Sequence, residues 1–312
     1  MTMAFKRVSI AVVNANSCSD LLTCLESLHA GGIPPDDVEI VVLDNASDDG
    51  SVAAVRERFP HVRVIEQRRR AGFGANNNAI FRATASRYVF LLNADTTSDD
   101  WGLDRMVAYL DANPSVAALG PRLVHSDGRQ QQSAWRFPTP AVAALGLLTL
   151  GRAGIVQSTG SRPRDVDWAM AAALLVRRDA LDDSGLFDEG FFMYSEETDL
   201  CLRLRRAGWR IAYFPDVTVM HHQPWAVEGV PERRINEMWR GRHRYWRKHH
   251  SAAGARVAAL LTGAQYAVRG LIRARDRDFA ARMRLHARDA IRVTGPGLRE
   301  LAEDWNRMHD SR

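Results

Sequence analysis

The segment VFLLNADTTSDD, residues 89–100, runs from an apolar strand pattern directly into a polar turn. Its first four residues are apolar, as expected for a strand that is covered on both faces. Asn93 and Asp95 follow at once. Open α/β sheets bind ligands beyond the carboxyl ends of their strands, so these two side chains are candidate site residues. The alternative interpretation is an ordinary polar turn, because Asn, Asp and Thr are common turn residues.

Strand and helix patterns alternate around this segment. Apolar runs typical of buried strands occupy Val8 to Asn14, Val38 to Asp44 and Tyr88 to Asn93, with a shorter run from Val62 to Glu66. Helical segments separate them, and Asp20 is expected to cap the first helix. This order predicts an α/β fold whose Rossmann-like, mostly parallel central sheet is flanked by helices.

The pattern loosens between Val116 and Asp167. The segment SDGRQQQSAWRFPTPA, residues 126–141, is expected to cross a cleft, and the apolar run Ala141 to Leu150 is expected to pack inside. For Trp168 to Arg177 a strand and a helix both remain open. Asp199 to Ala207 is predicted to be helical and is followed by an extended segment.

Bulk composition narrows the class of protein. The chain has 312 residues, of which 46% are hydrophobic and 25% charged, as in globular proteins. Its three cysteines fit neither a disulfide framework nor a zinc pattern, which favours a reducing cytoplasm. No run approaches the roughly 20 apolar residues that span a bilayer.

Positive charge is concentrated near the end of the chain. From Trp225 onward 19 Arg and Lys oppose 10 Asp and Glu, a net +9, so the preceding residues carry −4 of the total of +5. Such a basic region indicates an anionic partner, either a nucleic acid or a membrane surface. It also contains an apolar stripe at helical spacing, formed by Leu260, Leu261, Ala264, Val268, Leu271 and Ile272. That stripe fits an anionic membrane surface as well as it fits packing on the rest of the chain or on a second subunit of a homodimer.

Four motifs in order carry a resemblance to a known family. They are VSIAVVNANS (8–17), VVLDNASDDGSV (41–52), AGFGANNNAIFRA (71–83) leading to FLLNADT (90–96), and GLFDEGFFMYSEETDLCLRLRRAGWRIAYFPDVTVMHH (185–222). With them the chain resembles the family 2 inverting glycosyltransferases of the GT-A fold, in the bacterial rhamnosyltransferase-like branch. The resemblance implies transfer of a sugar from a nucleoside diphosphate to an acceptor hydroxyl, with Mg²⁺ or Mn²⁺ as cofactor.

The resemblance also implies a binding site. Asn93-Ala94-Asp95 takes the place of the family's DxD motif, so Asp95 and the first histidine of the last motif, His221, are implied as metal ligands. Asp44 is implied to accept the N3–H of a uracil or thymine base. The implied nucleotide-sugar-binding residues are Asn14, Asn16, Asp44, Asn45, Gly72, Phe73, Asn78, Asn93 and Asp95. Asp48 to Ser51 is interpreted instead as a turn and helix cap.

An inverting transfer needs a general base for the acceptor hydroxyl. By resemblance this base is Glu197, where the family has Asp, and Glu196 is the alternative. For Asp199, complementing the helix dipole is as good an explanation as catalysis.

We therefore expect a glycosyltransferase domain at residues 1–224, with a nucleotide-sugar half (1–115) and an acceptor half (116–224), and a basic helical extension at 225–312. The leading hypothesis is transfer of L-rhamnose from dTDP-rhamnose, or of a sugar from a UDP-sugar, to a polyprenyl-linked glycan in cell-wall or polysaccharide synthesis. The expected location is the cytoplasm, peripherally on the inner face of the plasma membrane.

Two alternative functions share some of these sequence features. A nucleotidyltransferase or pyrophosphorylase also has carboxylates at strand ends, but VVNANSCSD (12–20) lacks its glycine- and basic-rich signature. A non-catalytic, Arg-rich nucleic-acid-binding protein would need a recognisable module, and the basic region contains none. No nucleic acid is therefore expected as a partner.

Overall fold

The structure is a computed structural model that describes residues 6–31, 33, 37–222 and 231–310. Its strands are β1 (Val8–Asn14), β2 (Val38–Asp44), β3 (Arg63–Glu66), β4 (Tyr88–Asn93), β5 (Thr96–Thr97), β6 (Val116–Val124), β7 (Gln130–Gln131), β8 (Ala134–Trp135), β9 (Arg164–Val166), β10 (Trp168–Ala169), β11 (Ala173–Arg177) and β12 (Arg210–His221). Its helices are α1 (Cys18–Ala30), α2 (Ser51–Arg58), α3 (Phe73–Ala83), α4 (Leu103–Ala112), α5 (Pro140–Thr149), α6 (Arg178–Ser184), α7 (Glu196–Arg206), α8 (Pro231–His249), α9 (Ala252–Ile272), α10 (Arg277–Ile291) and α11 (Leu298–Asp310).

The parallel part of the sheet brings the polar strand ends together. The order β3-β2-β1-β4 places β1 between β2 and β4, and the predicted bounds of these three strands are confirmed. The register pairs Asn14 with Asp44 on one side and Val13 with Asn93 on the other. Since parallel strands end at the same edge of a sheet, the three polar ends lie side by side.

Beyond β4 the sheet is mixed. β11 enters antiparallel between β4 and β6, and β12 runs parallel to β6. The segment 168–177, left open by the sequence, forms the strands β10 and β11. Helices α1 and α4 contribute to one apolar cluster on the sheet, and α3 and α7 contribute to another. The α/β architecture is confirmed, and the mostly parallel arrangement holds for β1 to β4.

Two local expectations were wrong. Asp20 does not cap the first helix, because α1 begins at Cys18, whose N–H donates to Asp49 Oδ2 at 2.9 Å. The apolar run Ala141 to Leu150 does not pack inside as a whole, because it belongs to α5, where Leu148 is 84% exposed.

The helices after residue 230 pack on the rest of the chain. Trp239, Tyr245 and Trp246 of α8 share an apolar cluster with Phe191 and with α5 and α9. The indole N–H of Trp246 also donates to Pro138 O at 2.7 Å. The expected domain boundary between residues 224 and 225 falls in 223–230, outside the described residues, and the division into domains stays a prediction.

Candidate active site

Asn14 and Asp44 form a buried hydrogen-bonded pair at the strand ends. Asn14 Nδ2 donates to Asp44 Oδ1 at 3.0 Å, and the Ser47 backbone N–H donates to Asp44 Oδ2 at 2.8 Å. Both side chains are almost fully buried, with exposures of 0% and 3%. These donors hold the Asp44 carboxylate in one orientation, and each carboxylate oxygen retains acceptor capacity for a further donor such as a base N–H.

The neighbouring residues of the first two motifs mainly hold the loops. Asn16, in a left-handed conformation with φ 52°, exchanges two hydrogen bonds with Asp48 at 2.7 and 3.0 Å. Asn45 exchanges two with the backbone of Ala71, which opens the third motif. Asp49 accepts from Cys18 and Ser51, which agrees with a turn at Asp48 to Ser51, whereas the N-cap of α2 is Gly50 and no side chain caps it.

Asp95 and His221 lie together although 126 residues separate them in the chain. Asp95 Oδ1 is 3.4 Å from His221 Nε2, and Asn93 Nδ2 is 3.3 Å from the same nitrogen. β12 pairs with β5 so that His221 is opposite Thr96, directly after Asp95. Burial favours a higher pKa for Asp95, but the hydrogen bond and charge of His221 outweigh it and hold the pKa below its usual value.

The donor set of this pair suits a hard divalent cation. His221 Nδ1 lies 3.1 Å from Gln131 Oε1, a carbonyl oxygen that can accept a hydrogen bond from Nδ1–H, so that Nε2, on the Asp95 side, is the nitrogen available to a cation. Within the described residues no group of three His, Cys, Asp or Glu side chains could hold a metal by itself. One carboxylate and one imidazole leave positions for phosphate and water, which is how Mg²⁺ sites at diphosphates are usually built.

Asp20 is a second carboxylate near this pair. It lies in the first turn of α1, half-buried, and the pKa of its carboxyl is raised by burial and by the negative charge of Asp95. Two like charges at this edge increase its attraction for a cation. The sequence pointed to Asp20 only as a helix cap, since neither its spacing nor its neighbours indicate a site.

The glycine-rich turn before α3 packs against protein. A Cβ atom at Gly72 would collide with the carbonyl oxygen of Phe192, which accepts a 2.8 Å hydrogen bond from Phe73 N–H. Asn78, 1% exposed, donates both amide hydrogens to Phe187 O and Glu189 Oε1, each at 2.9 Å. These three predicted nucleotide-binding residues thus hold the loop that leads to the acidic pair, Glu196 and Glu197.

Glu196 and Glu197 open α7 after two strained residues. Tyr194 and Ser195 have φ values of 68° and 70°, a region that non-glycine residues rarely adopt. Glu196 is 3% exposed. The Oε2 atoms of both glutamates are buried and have no hydrogen-bond partner within the described residues. Consecutive strained residues that present orphaned carboxylates indicate a functional constraint at this position.

Burial raises the pKa of both carboxyl groups. For Glu196, the negative charge of Glu197 adds to burial and raises the pKa well above its ordinary value. For Glu197, backbone N–H groups at the helix start and the Arg242 cation oppose burial, and the pKa is still raised. The Arg242 cation and the helix-start N–H groups favour the ionised form of Glu197, which makes it the better candidate of the two for a general base.

Asp199 belongs to an ion-pair network. Its buried carboxylate is 2.8 Å from Arg203, 2.7 Å from Lys248 and 2.7 Å from His249. Burial opposes ionisation, but these donors together lower the pKa of Asp199. The network ties α7 to the end of α8, so the geometry favours a structural role for Asp199.

Helix α8 approaches the acidic pair from the extension. A Cβ atom at Gly241 would collide with the carbonyl oxygen of Tyr194, so only glycine permits this contact. The next residue, Arg242, is half-buried, and burial lowers the pKa of its guanidinium. Helix-forming patterns contain no signal for either contact.

Helix α11 covers one side of the nucleotide region. The Arg70 guanidinium lies 4.4 Å from the ring centroid of Trp305. The backbone N–H of Arg70 donates to Asn306 Oδ1 at 2.7 Å, and Asn306 Nδ2 donates to the backbone carbonyl of Arg70 at 3.0 Å. Burial lowers the pKa of Arg70, while Asp48 and Asp44 act in the opposite direction. The cation is therefore close to the carboxylate expected to bind the base.

An aromatic pair lies in the expected acceptor half, where segment 126–141 is expected to cross a cleft, the acceptor cleft. Trp135 and Trp168 stack with ring centroids 4.6 Å apart, because β8 and β10 pair them across an antiparallel ladder. The Trp168 indole N–H donates to Arg136 O at 3.1 Å.

Comparisons with known proteins assign the chain to a protein family. A model described as glycosyltransferase like family 2 matches residues 6–242. The N-acetylglucosaminyl-diphospho-decaprenol L-rhamnosyltransferase of Mycobacterium tuberculosis H37Rv is 32% identical over 208 residues, covering 60% of this chain and 67% of that protein. The rhamnosyltransferase WbbL of Escherichia coli K12 is 28% identical over 160 residues, covering 48% of this chain and 61% of that protein.

Solved structures agree with the fold. The mannosyltransferase PcManGT from Pyrobaculum calidifontis, in complex with GDP-Man and Mn²⁺, superimposes with a TM-score of 0.58 and 19% identity, covering 99% of this chain and 85% of that one. Staphylococcus aureus TarS 1–349 in complex with UDP-GlcNAc has a TM-score of 0.58 and 16% identity, covering 97% of this chain and 88% of that one.

Proposed function

The chain belongs to glycosyltransferase family 2 and has the GT-A fold, and from this premise we propose an inverting, metal-dependent transfer of a sugar from a nucleoside diphosphate to an acceptor hydroxyl. The observation that carries the proposal is the meeting of Asp95 and His221 at the sheet edge where Asn14 and Asp44 also end. The family match does not favour the nucleotidyltransferase or nucleic-acid-binding alternatives.

Asp95 and His221 would hold Mg²⁺ or Mn²⁺, with Gln131 fixing the imidazole. The cation, when bound, would act as a Lewis acid on the diphosphate oxygens. Asn93, whose amide faces the same nitrogen as Asp95, would bind ribose or the hydration shell of the cation.

Asp44 would accept the N3–H of uracil or thymine, oriented by Asn14. Asn16 and Asn45 would shape this part of the site through the loops that they hold. Gly72, Phe73 and Asn78 would act indirectly, since their contacts position the 187–192 segment. The names of the two relatives support rhamnose as the sugar, and the name of the mycobacterial relative supports a diphospho-decaprenol-linked acceptor. The donor would be dTDP-L-rhamnose and the acceptor a polyprenyl-linked glycan of cell-wall or polysaccharide synthesis.

Glu197 would act as the general base. As the acceptor oxygen attacks the anomeric carbon opposite the diphosphate, its proton passes to the Glu197 carboxylate and the bond from the anomeric carbon to the diphosphate breaks. A raised pKa suits this role, because a carboxylate that titrates nearer to neutrality is a stronger base. Trp135 and Trp168 would form an apolar wall for the acceptor sugar.

A screen of nucleotide sugars tests the proposal. The melting temperature of the full chain should rise by roughly 5 °C with saturating dTDP- or UDP-sugar in Mg²⁺ or Mn²⁺, because a ligand of the native state stabilises it. The same nucleotides in EDTA should give a much smaller rise. An unchanged melting temperature with every nucleotide sugar and both cations would contradict the proposed donor class.

Arg242→Gln should move the acid limb of the pH profile of kcat/KM to higher pH. The Arg242 cation lowers the pKa of Glu197, so its removal raises that pKa and the base is lost earlier as pH falls. Arg247→Gln, an exposed position on the same helix, is the matched control and should leave the limb in place. An unshifted limb in Arg242→Gln would argue against Glu197 as the base.

A further inference from the structure

Helix α9 buries its small residues and exposes its large apolar ones. Ala258, Ala259, Gly263 and Gly270 are buried. In contrast, Val257, Leu260 and Leu271 are 46%, 56% and 75% exposed. The spacing of these three places them on one face of the helix, which we call the apolar face. Of the apolar stripe predicted from the sequence, Leu260, Leu271 and Ile272 are exposed, whereas Leu261 packs against the apolar cluster that contains Trp239.

Close neighbours explain which face is buried. A Cβ atom at Gly263 would lie 2.9 Å from Ile291 Cγ1 of α10, and one at Gly270 would lie 3.1 Å from Met283 Cβ. On the other side, a Cβ atom at Gly146 of α5 would lie 2.6 Å from Gln265 Oε1 of α9. Both flanking helices thus pack where α9 has small or polar side chains, and the apolar face is left without a partner in the described part of the chain.

Arginines surround the end of this face. Between residues 252 and 292 the sequence has nine Arg and three Asp, a net charge of +6. Six of these arginines are exposed and have no ion-pair partner within the described residues: Arg256, Arg275, Arg277, Arg282, Arg284 and Arg292. Next to them Ile272, the last residue of α9, is 59% exposed. We call residues 272–277 the basic turn.

We propose that the apolar face and the basic turn bind the surface of an anionic phospholipid bilayer. The leucine and valine side chains would enter the headgroup boundary, and the arginines would contact lipid phosphates. The inference rests on the proposed function, because a polyprenyl-linked acceptor would be met at such a surface. No helix within the described residues is long and apolar enough to cross a membrane.

Charge favours a bilayer over a second copy of the chain. A twofold contact through the apolar face would bring the same arginine-rich surface of each copy together, and like charges in an interface oppose association. An anionic bilayer provides the opposite charge together with an apolar interior.

The surface is also connected to the expected acceptor cleft. α5 follows Trp135 by a few residues and packs along α9, with Pro138 held by Trp246 of α8. A lipid-linked acceptor could therefore extend from the cleft towards the surface on which α9 lies.

Vesicle flotation of the full-length chain tests the proposal. We expect it to float with vesicles of phosphatidylglycerol and phosphatidylcholine and to bind pure phosphatidylcholine weakly, with loss of binding at high salt. Arg275→Gln combined with Arg277→Gln should weaken vesicle binding roughly 30-fold, at about fivefold for each arginine. Leu260→Ser combined with Leu271→Ser should weaken it roughly tenfold or more.

Matched controls separate the surface from general effects. Arg162→Gln with Arg205→Gln removes two exposed arginines elsewhere, and Met308→Ser removes a side chain of α11 that is 61% exposed. Both controls should float like the wild type. All variants should retain the wild-type melting temperature and its rise with nucleotide sugar, a readout that tests the proposed function independently of flotation.

Three results would overturn the membrane surface: no flotation of the full-length chain, equal flotation of the α9 variants and the wild type, or a stable dimer that Leu260→Ser with Leu271→Ser dissociates. Flotation as expected without any response to nucleotide sugars would instead overturn the proposed function and leave the surface standing.

Discussion

Asp95→Ala is expected to lower sugar transfer at least roughly 10³-fold and to abolish the cation dependence of nucleoside diphosphate binding. The substitution removes the carboxylate that faces His221 Nε2 at 3.4 Å, leaving one protein ligand at the proposed metal position. Because the side chain is partly exposed and its main partner is His221, the fold should persist. Titration calorimetry of UDP and dTDP in Mg²⁺ and in EDTA measures the effect on binding.

The matched control is Asp99→Ala, which removes an exposed carboxylate four residues further along, beyond β5. It should bind and transfer like the wild type. Full activity of Asp95→Ala, or full activity of the wild type in excess EDTA, would refute the role given to Asp95.

Glu197→Gln is expected to lower kcat roughly 10²–10⁴-fold with donor affinity unchanged. The amide keeps the size of the side chain but cannot accept the proton of the acceptor hydroxyl. Glu196→Gln should cost much less, because burial and the negative charge of Glu197 both favour the neutral form of Glu196, which the amide resembles. Steady-state kinetics with the donor and acceptor varied separately distinguish the two variants.

Circular dichroism and the melting temperature check that both variants are folded. If Glu196→Gln is inactive and Glu197→Gln retains the wild-type rate, the base is Glu196 and the motif has been aligned one residue out of place.

Local sequence patterns were sufficient to predict the parallel strands of the sheet and the polar residues at their ends. Short continuous apolar runs that end in turn residues are typical of strands covered on both faces, and the ends of these strands fall at Asn14, Asp44 and Asn93 as expected. Parallel order then places these ends together. His221 was reached only by resemblance, since its approach to Asp95 depends on the pairing of β12 with β5.

The remaining features depend on long-range packing. Gln131 touches His221 through an excursion of two short strands, and Arg242 reaches Glu197 from a helix 45 residues away in the chain. No local pattern encodes either contact.

The apolar stripe on α9 could be recognised from the helical spacing of its residues. That spacing does not indicate which face of the helix is covered by neighbouring helices. Small residues on the opposite face of α9 allow α5 and α10 to pack there, and Leu260 and Leu271 remain exposed.

The central claim is that Asp95 and His221 form the metal–diphosphate site of a sugar transfer. Mass spectrometry of a reaction between the purified chain, dTDP-L-rhamnose, Mg²⁺ and a diphospho-lipid carrying N-acetylglucosamine tests it most directly. We predict that the acceptor gains one sugar, with stoichiometric release of dTDP, and that neither product forms in EDTA or with Asp95→Ala. Transfer at the wild-type rate in EDTA and with Asp95→Ala would contradict the claim.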